Sequence, residues 1–362
     1  MFETIKKIGE RFRLEGKLYS FDPITLGNIN STYKVTYQHK DGGFKTYLFQ
    51  RVNTVVFKEP IKIMENIDRV TTFICKKYPG QLTLHFHHTE SGEIYYVAED
   101  DCFWRVSNYV ESVTFNSTED LSVIESTGEA FGNFQMQLSD FDGSVLHETI
   151  PDFHNTKKRL DTLFADAERD VCGRVCEVKE ELDYIQTVRA MASELSVRFA
   201  NGEIPNRVTH NDTKANNVLF DRRTHRPLVV IDLDTIMPGM AMYDFGDAVR
   251  FIANTAEEDE RDLSAVYFDT AKFRAFARGF IGKVKDSLTQ DEIDSLVLAS
   301  FSITVELAAR FLDDYIMGDT YFKCKYPGHN LVRARCQLKL AKDIMNKYDE
   351  LNWIVRDVVK NG

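Results

Sequence analysis

The chain has 362 residues, of which 43% are hydrophobic and 28% are charged, and its formal net charge is −11. This length exceeds one ordinary hydrophobic core and predicts two domains or lobes. The acidic balance argues against a nucleic-acid partner or an anionic membrane surface, because both need clustered Lys and Arg. A nucleoside triphosphate stays compatible with it, because carboxylates can bind the metal ion that accompanies the nucleotide.

A signal peptide is not apparent in the first residues, which read MFETIKKIGERF. No run of about 18 apolar residues occurs either. The six cysteines lack the spacing of a zinc site, and we interpret them as reduced thiols. We therefore predict a soluble cytoplasmic protein, and we expect a monomer or a weak homodimer.

Residues 1–110 have the turn signals and alternating hydrophobicity of a β-rich lobe. A short amphipathic helix is predicted at residues 1–15, and a turn-rich stretch follows at 26–32. A helix at 59–76 has apolar residues on one side. The predicted strands, which alternate or are bounded by turns, lie at 33–37, 46–52, 82–87, 94–99 and 102–110.

From residue 111 to 362 the pattern changes to long helices. The predicted helices lie at 120–138, 153–168, 178–201, 244–254, 270–285, 289–318 and 330–359. Two short β-like runs, 217–220 and 228–232, interrupt them and are joined by a turn. The prediction is an α+β protein with a small β-rich N-lobe and a larger, mainly helical C-lobe that contains a hairpin.

A polar loop, Val208 to Asp221, leads into this hairpin and concentrates His, Asp and Asn side chains. Asp212 can accept the proton of an attacking hydroxyl, and His210 is expected to brace the loop rather than react. A hairpin brings its two ends together, so Asn217 and Asp232 can share one Mg²⁺. A base and oxygen ligands for a metal ion are what phosphoryl transfer requires.

Two alternatives stay open for these carboxylates. Asp234 follows Asp232 by two residues and can serve a second metal ion or a structural contact. His210-Asn211-Asp212 can also form an ordinary Asx-type turn, with Asp232 a carboxylate at a strand end. The complete spacing, with the strand that ends Ile-Asp-Leu-Asp, favours the catalytic interpretation.

The spacing His210-x-Asp212-x4-Asn217, followed by Ile231-Asp232, resembles the motif pair of the aminoglycoside-phosphotransferase-like (protein-kinase-like) superfamily. Several further runs resemble the N-acetylhexosamine 1-kinases, and together they cover nearly the whole chain. These runs are 27–33, 131–135, 153–154, 234–239, 243–247, 310–315 and 318–322. The resemblance implies a bilobal kinase fold, a catalytic Asp212, and Asn217 and Asp232 on Mg²⁺, with ATP as co-substrate.

The resemblance also implies a nucleotide site in the N-lobe. The matching positions are Gly27, Asn30, Thr32, Gln50, Tyr109 and Val110. The first three would belong to a loop over the phosphates, or alternatively to an ordinary turn before a strand, and the last two to a hinge that receives adenine. Gln50 stands where protein kinases carry a lysine. It is a departure, because an amide can hydrogen-bond a phosphate but cannot neutralise it.

On the acceptor side, the resemblance implies a sugar site supported by His210 and Asp244. Its matching positions are Asp212, Thr235, Arg310, Tyr321 and Trp353. Arg310 would grip sugar hydroxyls or an acetamido oxygen, or it would form an i,i+4 ion pair with Glu306. Trp353 would stack on the sugar, or it would pack between C-terminal helices.

The predicted reaction is therefore ATP- and Mg²⁺-dependent phosphorylation of the anomeric hydroxyl of an N-acetylhexosamine. A kinase for choline, homoserine, methylthioribose or an aminoglycoside is the first alternative, and Arg310 argues against a polycationic acceptor if it faces the site. A pseudokinase-like binding module is the second. The intact Asp212, Asn217 and Asp232 argue against that module, while Gln50 argues weakly for it.

Overall fold

The computed structural model describes residues 1–25 and 29–361, and these divide into two compact units. The N-terminal unit consists of Met1–Val113 with two later segments, Ser144–Thr149 and Leu233–Ile236. The C-terminal unit contains the other described residues. The predicted α+β arrangement is confirmed, with β-structure in the N-terminal region and mainly helices beyond it.

The N-terminal unit contains an antiparallel sheet. Its strands are β1 (Lys17–Ile24), β2 (Ser31–Gln38), β3 (Phe44–Val52), β4 (Tyr96–Val97) and β5 (Phe103–Asn108). Among the described residues the strand order is β1-β2-β3-β5-β4. Helix α1 (Phe2–Gly9) and helix α2 (Pro60–Lys77) belong to the same unit.

One face of this sheet forms an apolar core, because side chains along a strand alternate between its two faces. Tyr47 and Phe49 of β3 and Val106 of β5 are fully buried there, together with Ile5 and Ile8 of α1. The opposite face carries a row of aligned polar residues across β2, β3 and β5. This row is Thr32, Gln50 and Arg105.

The strand predicted at 82–87 is wrong. The segment has alternating residues, but it meets β5 at an isolated bridge between Phe86 and Ser107. One hydrogen bond runs there from the His87 N–H to the Val106 carbonyl and one from the Asn108 N–H to the His85 carbonyl. Too few consecutive backbone groups are paired to form a strand. Strand β1 was not predicted, because Pro23 and its neighbours give the segment a turn-like composition.

The helices of the C-terminal unit follow the predicted spacing closely. They are α3 (Leu121–Gln137), α4 (Thr156–Arg169), α5 (Lys179–Ala200), α6 (Ala241–Ile252), α7 (Thr270–Val284), α8 (Gln290–Asp294), α9 (Leu296–Ile316), α10 (His329–Asn346) and α11 (Tyr348–Asn361). Two predicted helices, 289–318 and 330–359, are each divided in two. Across residues 1–25 and 29–361, none of the helices is both long and apolar enough to span a bilayer.

Two short strand pairs flank the polar loop of the C-terminal unit. Strands β7 (Val218–Phe220) and β8 (Pro227–Val230) form the predicted hairpin, although β8 ends before Asp232. Strands β6 (Arg207–Thr209) and β9 (Met237–Gly239) pair as well, and this pair was not predicted. Three-residue strands have too short a pattern to stand out in a sequence.

Helices α3 and α7 approach each other closely through glycine. A Cβ atom on Gly128 would collide with the Phe276 carbonyl oxygen, and one on Gly279 would collide with that of Glu125. The contact therefore requires residues without side chains. It fixes α3, whose Gln135 reaches the residue that anchors the polar loop.

Candidate active site

The polar loop between β6 and β7 is held by one buried carboxylate, Asp244 on α6. Its two oxygens accept the backbone N–H groups of His210 and Asn211, each at 2.8 Å, and it also accepts a hydrogen bond from Gln135. Its carbonyl oxygen accepts the Thr213 hydroxyl at 2.7 Å. The loop backbone is therefore fixed before its side chains are considered, which is what a preorganised site requires.

Asp212 stands between an amide and an ammonium group. The Asn217 side-chain N–H donates to the Asp212 carbonyl at 2.9 Å and to its Oδ2 at 3.3 Å. Lys214 Nζ lies 2.8 Å from Asp212 Oδ1. Burial opposes the charge on Lys214, but the Asp212 carboxylate outweighs it and raises the pKa of Lys214. The structure thus brings Asp212 and Asn217 together and adds a cation that the sequence analysis missed.

His210 connects the polar loop to the segment that carries Asp232. Its Nε2 lies 2.8 Å from the Ile231 carbonyl oxygen, and its ring meets the edges of Phe131 and Phe134. This geometry agrees with a bracing role. Asp232 follows directly with a φ of 62°, a left-handed conformation that Asp adopts more readily than most residues.

Asn217 and the segment at Asp232 are joined through the backbone. The Ile231 N–H donates to the Asn217 carbonyl at 2.8 Å, one residue before Asp232. Because the Asn217 amide nitrogen is directed at Asp212, its Oδ1 is the atom left to bind a cation. An amide oxygen and a carboxylate are donors that Mg²⁺ accepts, with phosphate oxygens and water as its other ligands. The donor chemistry of Asn217 and Asp232 is therefore the kind that a magnesium ion accepts.

Asp234 is engaged in structural contacts within the N-terminal unit. Both of its oxygens pair with the guanidinium of Arg105, and its Oδ2 accepts the Asn30 amide at 2.9 Å. The carboxylate and the guanidinium are 3% and 4% exposed, so the pair is almost fully buried. Of the two roles left open for Asp234, this geometry supports the structural one.

Two of the predicted nucleotide residues, Asn30 and Gln50, contact the same ion pair directly. Gly27 lies outside the described residues. Thr32 Oγ1 accepts the Gln50 amide N–H at 3.3 Å, and Gln50 Oε1 accepts Arg105 Nε–H at 3.0 Å. After β5, the Tyr109 ring lies under Lys34, and the Val110 carbonyl accepts the Ser112 hydroxyl at 3.0 Å.

Arg310 of α9, which is predicted to contact the sugar, lies against two aromatic rings. Its guanidinium carbon is 5.6 Å from the ring centroids of both Phe153 and Phe322. Glu306 does not form the alternative i,i+4 ion pair with Arg310. Its oxygens instead contact His154 Nδ1 at 3.0 Å and the hydroxyl of Thr156. His154 Nε2 in turn lies 3.3 Å from the Asn211 carbonyl, which links α9 to the polar loop.

The segment that carries Tyr321 is fixed by Asp314. This buried carboxylate accepts the backbone N–H groups of Thr320, Tyr321 and Phe322, each at 2.8 Å. The Tyr321 side chain itself is 73% exposed. The loop is therefore held rigidly while its tyrosine faces outward.

Two further predicted sugar residues, Thr235 and Trp353, belong to other elements. Thr235 belongs to a short turn of the N-terminal unit. Trp353 of α11 is 56% exposed and stacks on Arg274 of α7 at 5.1 Å. The structure therefore gives Trp353 an exposed contact with α7.

Sequence reasoning missed Lys214 and Arg105, and each had a signal. Lys214 follows Asp212 by two residues, inside the loop that was singled out. Arg105 is a charged residue in the middle of the strand predicted at 102–110, between the apolar residues Trp104 and Val106. A cation at such a position needs a partner, because burying an unpaired charge is costly.

Comparison with known proteins agrees with this geometry. The chain matches the phosphotransferase enzyme family, APH, over residues 20–276, and it belongs to that family. It is therefore a phosphotransferase by class, which supports small-molecule kinase activity. The family and the similar folds confirm the predicted protein-kinase-like fold.

Three solved structures illustrate the likeness of fold. An aminoglycoside phosphotransferase from Alicyclobacillus acidocaldarius is 13% identical with a TM-score of 0.59, covering 98% of this chain and 96% of that one. A microcompartment-associated aminopropanol kinase is 14% identical with a TM-score of 0.59, covering 97% and 99%. An amicoumacin kinase, solved with AMP-PNP and Ca²⁺, is 10% identical with a TM-score of 0.57, covering 95% and 93%.

Proposed function

We propose that this protein is an ATP-dependent kinase that phosphorylates the anomeric C1 hydroxyl of N-acetylglucosamine or N-acetylgalactosamine, giving the sugar 1-phosphate and ADP. The set of Asp212, Asn217 and Asp232 supports phosphoryl transfer. The amicoumacin kinase structure with AMP-PNP and Ca²⁺ supports ATP and a divalent cation as its companions. The proposal of a sugar acceptor rests above all on the position of the Arg310 guanidinium against the rings of Phe153 and Phe322.

Two guanidinium groups distinguish the acceptor side. Arg159 of α4 donates to the carbonyl oxygen of Phe153, whose ring also meets Arg310. Burial and the nearby charge of Arg310 lower the pKa of Arg159. Two neighbouring cations disfavour an acceptor with an ammonium group. They favour a neutral sugar, because guanidinium N–H groups donate to hydroxyl and acetamido oxygens.

In the proposed reaction, the C1 hydroxyl oxygen attacks the γ-phosphorus while the bond to the β–γ bridging oxygen breaks and ADP departs. Asp212 accepts the hydroxyl proton. Lys214 holds the Asp212 carboxylate at 2.8 Å and places a positive charge beside the reacting groups. Mg²⁺ on Asn217 and Asp232 would neutralise phosphate charge. Thr235, Tyr321 and Trp353 remain predicted sugar contacts.

The test is ADP release from ATP and Mg²⁺ over a panel of acceptors. The panel contains N-acetylglucosamine, N-acetylgalactosamine, glucose, galactose, choline, ethanolamine, aminopropanol and an aminoglycoside. We expect kcat/KM to be at least about tenfold higher for the N-acetylhexosamines, which is about 1.4 kcal/mol of discrimination. Phosphorus NMR of the product identifies the 1-phosphate.

Asp212→Asn provides the mechanistic control. We expect kcat to fall by at least about 100-fold, as on removal of a general base. Asp221→Asn, in the same hairpin but in its exposed turn, should keep the activity. Turnover with amino alcohols alone would indicate a kinase for another metabolite. ATP binding without turnover of any acceptor would indicate a pseudokinase-like binding module.

A further inference from the structure

The N-terminal unit contains a cation that is not on the strand where protein kinases carry one. In those enzymes a lysine on β3 pairs with the phosphates and with a glutamate. Here β3 carries Gln50, and the guanidinium of Arg105 stands across from it on β5. Residues that face each other across antiparallel strands have Cβ atoms about 5 Å apart. The two side chains can therefore act as one group.

The contacts among these side chains give the amide one orientation. Arg105 donates its Nε–H to Gln50 Oε1 at 3.0 Å, so the Gln50 nitrogen must face away from the guanidinium. That nitrogen donates to Thr32 Oγ1 at 3.3 Å. A primary amide nitrogen carries two N–H groups, so Thr32 leaves one of them to another acceptor.

Arg105 is itself immobilised. Its two terminal nitrogens pair with both oxygens of Asp234, and Asn30 donates to the same carboxylate. Asn30 also accepts the Asn53 backbone N–H at 2.9 Å, which ties the group to the end of β3. The guanidinium cannot turn towards a ligand without breaking this pair. Its influence on a ligand must pass through Gln50.

The resemblance already implies that Gln50 contacts the nucleotide phosphates; we propose that Arg105 is the residue that positions Gln50 for that contact. Donation from a charged guanidinium to the amide oxygen polarises the amide and strengthens its N–H groups as donors. In a lysine–glutamate pair the lysine supplies both the positive charge and the phosphate contact. Here Arg105 supplies the charge, Gln50 the phosphate contact and Asp234 the carboxylate that holds the cation. This proposal rests on the proposed function only in requiring that ATP is the nucleotide.

The sharpest variant is Gln50→Glu. A carboxylate opposite Arg105 keeps a hydrogen-bonding partner for the guanidinium, so we expect the fold to persist and the melting temperature to be preserved. It also replaces the N–H donors by a negative charge facing the phosphates. We expect the Kd for Mg²⁺–AMP-PNP, measured by calorimetry, to rise at least about 30-fold. The Kd for adenosine, which lacks phosphates, should change less than about twofold.

A rescue experiment distinguishes two roles of Arg105, the positioning of Gln50 and the support of the fold. Arg105→Gln should weaken AMP-PNP binding about tenfold or more and leave adenosine binding intact. Combining it with Gln50→Lys moves the cation from β5 to β3 beside Asp234, and should restore the AMP-PNP Kd to within about threefold of the original. Arg51→Gln, on the adjacent exposed position of β3, is the matched control and should have no effect.

An unchanged AMP-PNP affinity in Gln50→Glu would overturn the proposal. Equal losses for AMP-PNP and adenosine in Arg105→Gln, without rescue in the double variant, would also overturn it by assigning Arg105 to the fold. Failure of the acceptor panel is a separate result. If no sugar is phosphorylated while these Kd shifts occur, the sugar proposal fails and this one stands.

Discussion

Two buried aspartates hold the functional segments of this protein, and they do so with different partners. Asp244 accepts the backbone N–H groups of His210 and Asn211 and so fixes the polar loop. Asp234 pairs with side chains of the N-terminal unit, namely Arg105 and Asn30. Asp244 therefore binds backbone N–H groups, whereas Asp234 forms an ion pair with a charged side chain.

The difference predicts different tolerance to change. An aspartate whose carboxylate binds the loop backbone tolerates changes of the loop side chains, because its hydrogen bonds go to backbone N–H groups. The aspartate itself has no substitute, because both of its oxygens are needed as acceptors. A side-chain anchor depends on which residue supplies the charge, so the charge can be moved to another strand. Asp314, which accepts three backbone N–H groups around Tyr321, follows the first pattern on the acceptor side.

The largest effect is expected from Asp244→Asn. An amide in place of the carboxylate keeps one acceptor oxygen but turns an NH2 group towards the other backbone N–H, so one of the buried donors of His210 and Asn211 loses its acceptor. We expect a loss of about 3 kcal/mol of unfolding free energy and a roughly 1,000-fold lower kcat, since the loop loses its fixed geometry. Chemical denaturation and steady-state kinetics measure the two effects.

The control is the exposed Asp183 of α5, whose change to Asn should alter neither quantity. If Asp244→Asn keeps its stability and a kcat within about tenfold of the original, the backbone anchor is not what organises the loop. Nucleotide binding should also be retained in the folded fraction, because the Arg105 group does not involve Asp244.

Lys214 tests whether charge matters inside the backbone-anchored loop. Lys214→Met removes the ammonium beside Asp212 and keeps much of the side-chain volume. We expect kcat to fall about 100-fold with little change in stability, because preorganised charge at the reacting groups is lost. Lys214→Arg keeps the charge and should retain at least about a tenth of the activity. Equal activity of the two variants would show that the charge contributes nothing.

The sequence predicted groups of residues that lie close together along the chain. Asp212 and Asn217 lie in one loop, and the hairpin that follows brings the backbone next to Asp232 against Asn217, so spacing alone indicated this group. Arg105 was missed because its role depends on strand register. Only the pairing of Gln50 with Arg105 shows that a β5 side chain serves a β3 position.

Helix boundaries show the same limit. Residues 289–318 have one continuous helical period, but the capping box between Thr289 and Glu292 begins a short first helix that ends at Asp294, and Ser295 separates it from α9. The wrong strand at 82–87 also has the expected alternation. Alternation describes what a segment can bury, whereas pairing depends on a partner strand that the sequence does not name.

Asp314→Asn tests the acceptor-side anchor. We expect the KM for the sugar to rise about tenfold, because one set of hydrogen bonds to the backbone of residues 320–322 is weakened by about 1.4 kcal/mol. The Kd for ATP should not change, since this loop belongs to the acceptor side. A parallel rise in both constants would mean that the variant is generally unfolded rather than locally loosened.

The smallest effect concerns Asp313, the neighbour of Asp314 that lacks comparable donors. Its Oδ1 is buried and has no hydrogen-bond partner among residues 1–25 and 29–361. Burial, together with the nearby carboxylate of Asp166, raises the pKa of Asp313 to about 6 from an ordinary value of 3.8. The folded protein therefore holds this proton more tightly than the unfolded chain does.

Because the pKa of Asp313 is higher in the folded protein than in the unfolded chain, its ionisation destabilises the fold as the pH rises. Below about pH 4 both states are protonated and Asp313 costs nothing, whereas above about pH 6 the folded state must bear a disfavoured charge. Asp313→Asn keeps a donor towards Asp166 and cannot ionise. We expect it to stabilise the protein by about 1 kcal/mol at pH 7.5, after allowance for solvent screening, with a gain that vanishes towards pH 4. A gain of equal size in thermal unfolding at both pH values would instead point to packing, and the contrast between the donor-rich Asp314 and the donor-poor Asp313 would lose its electrostatic basis.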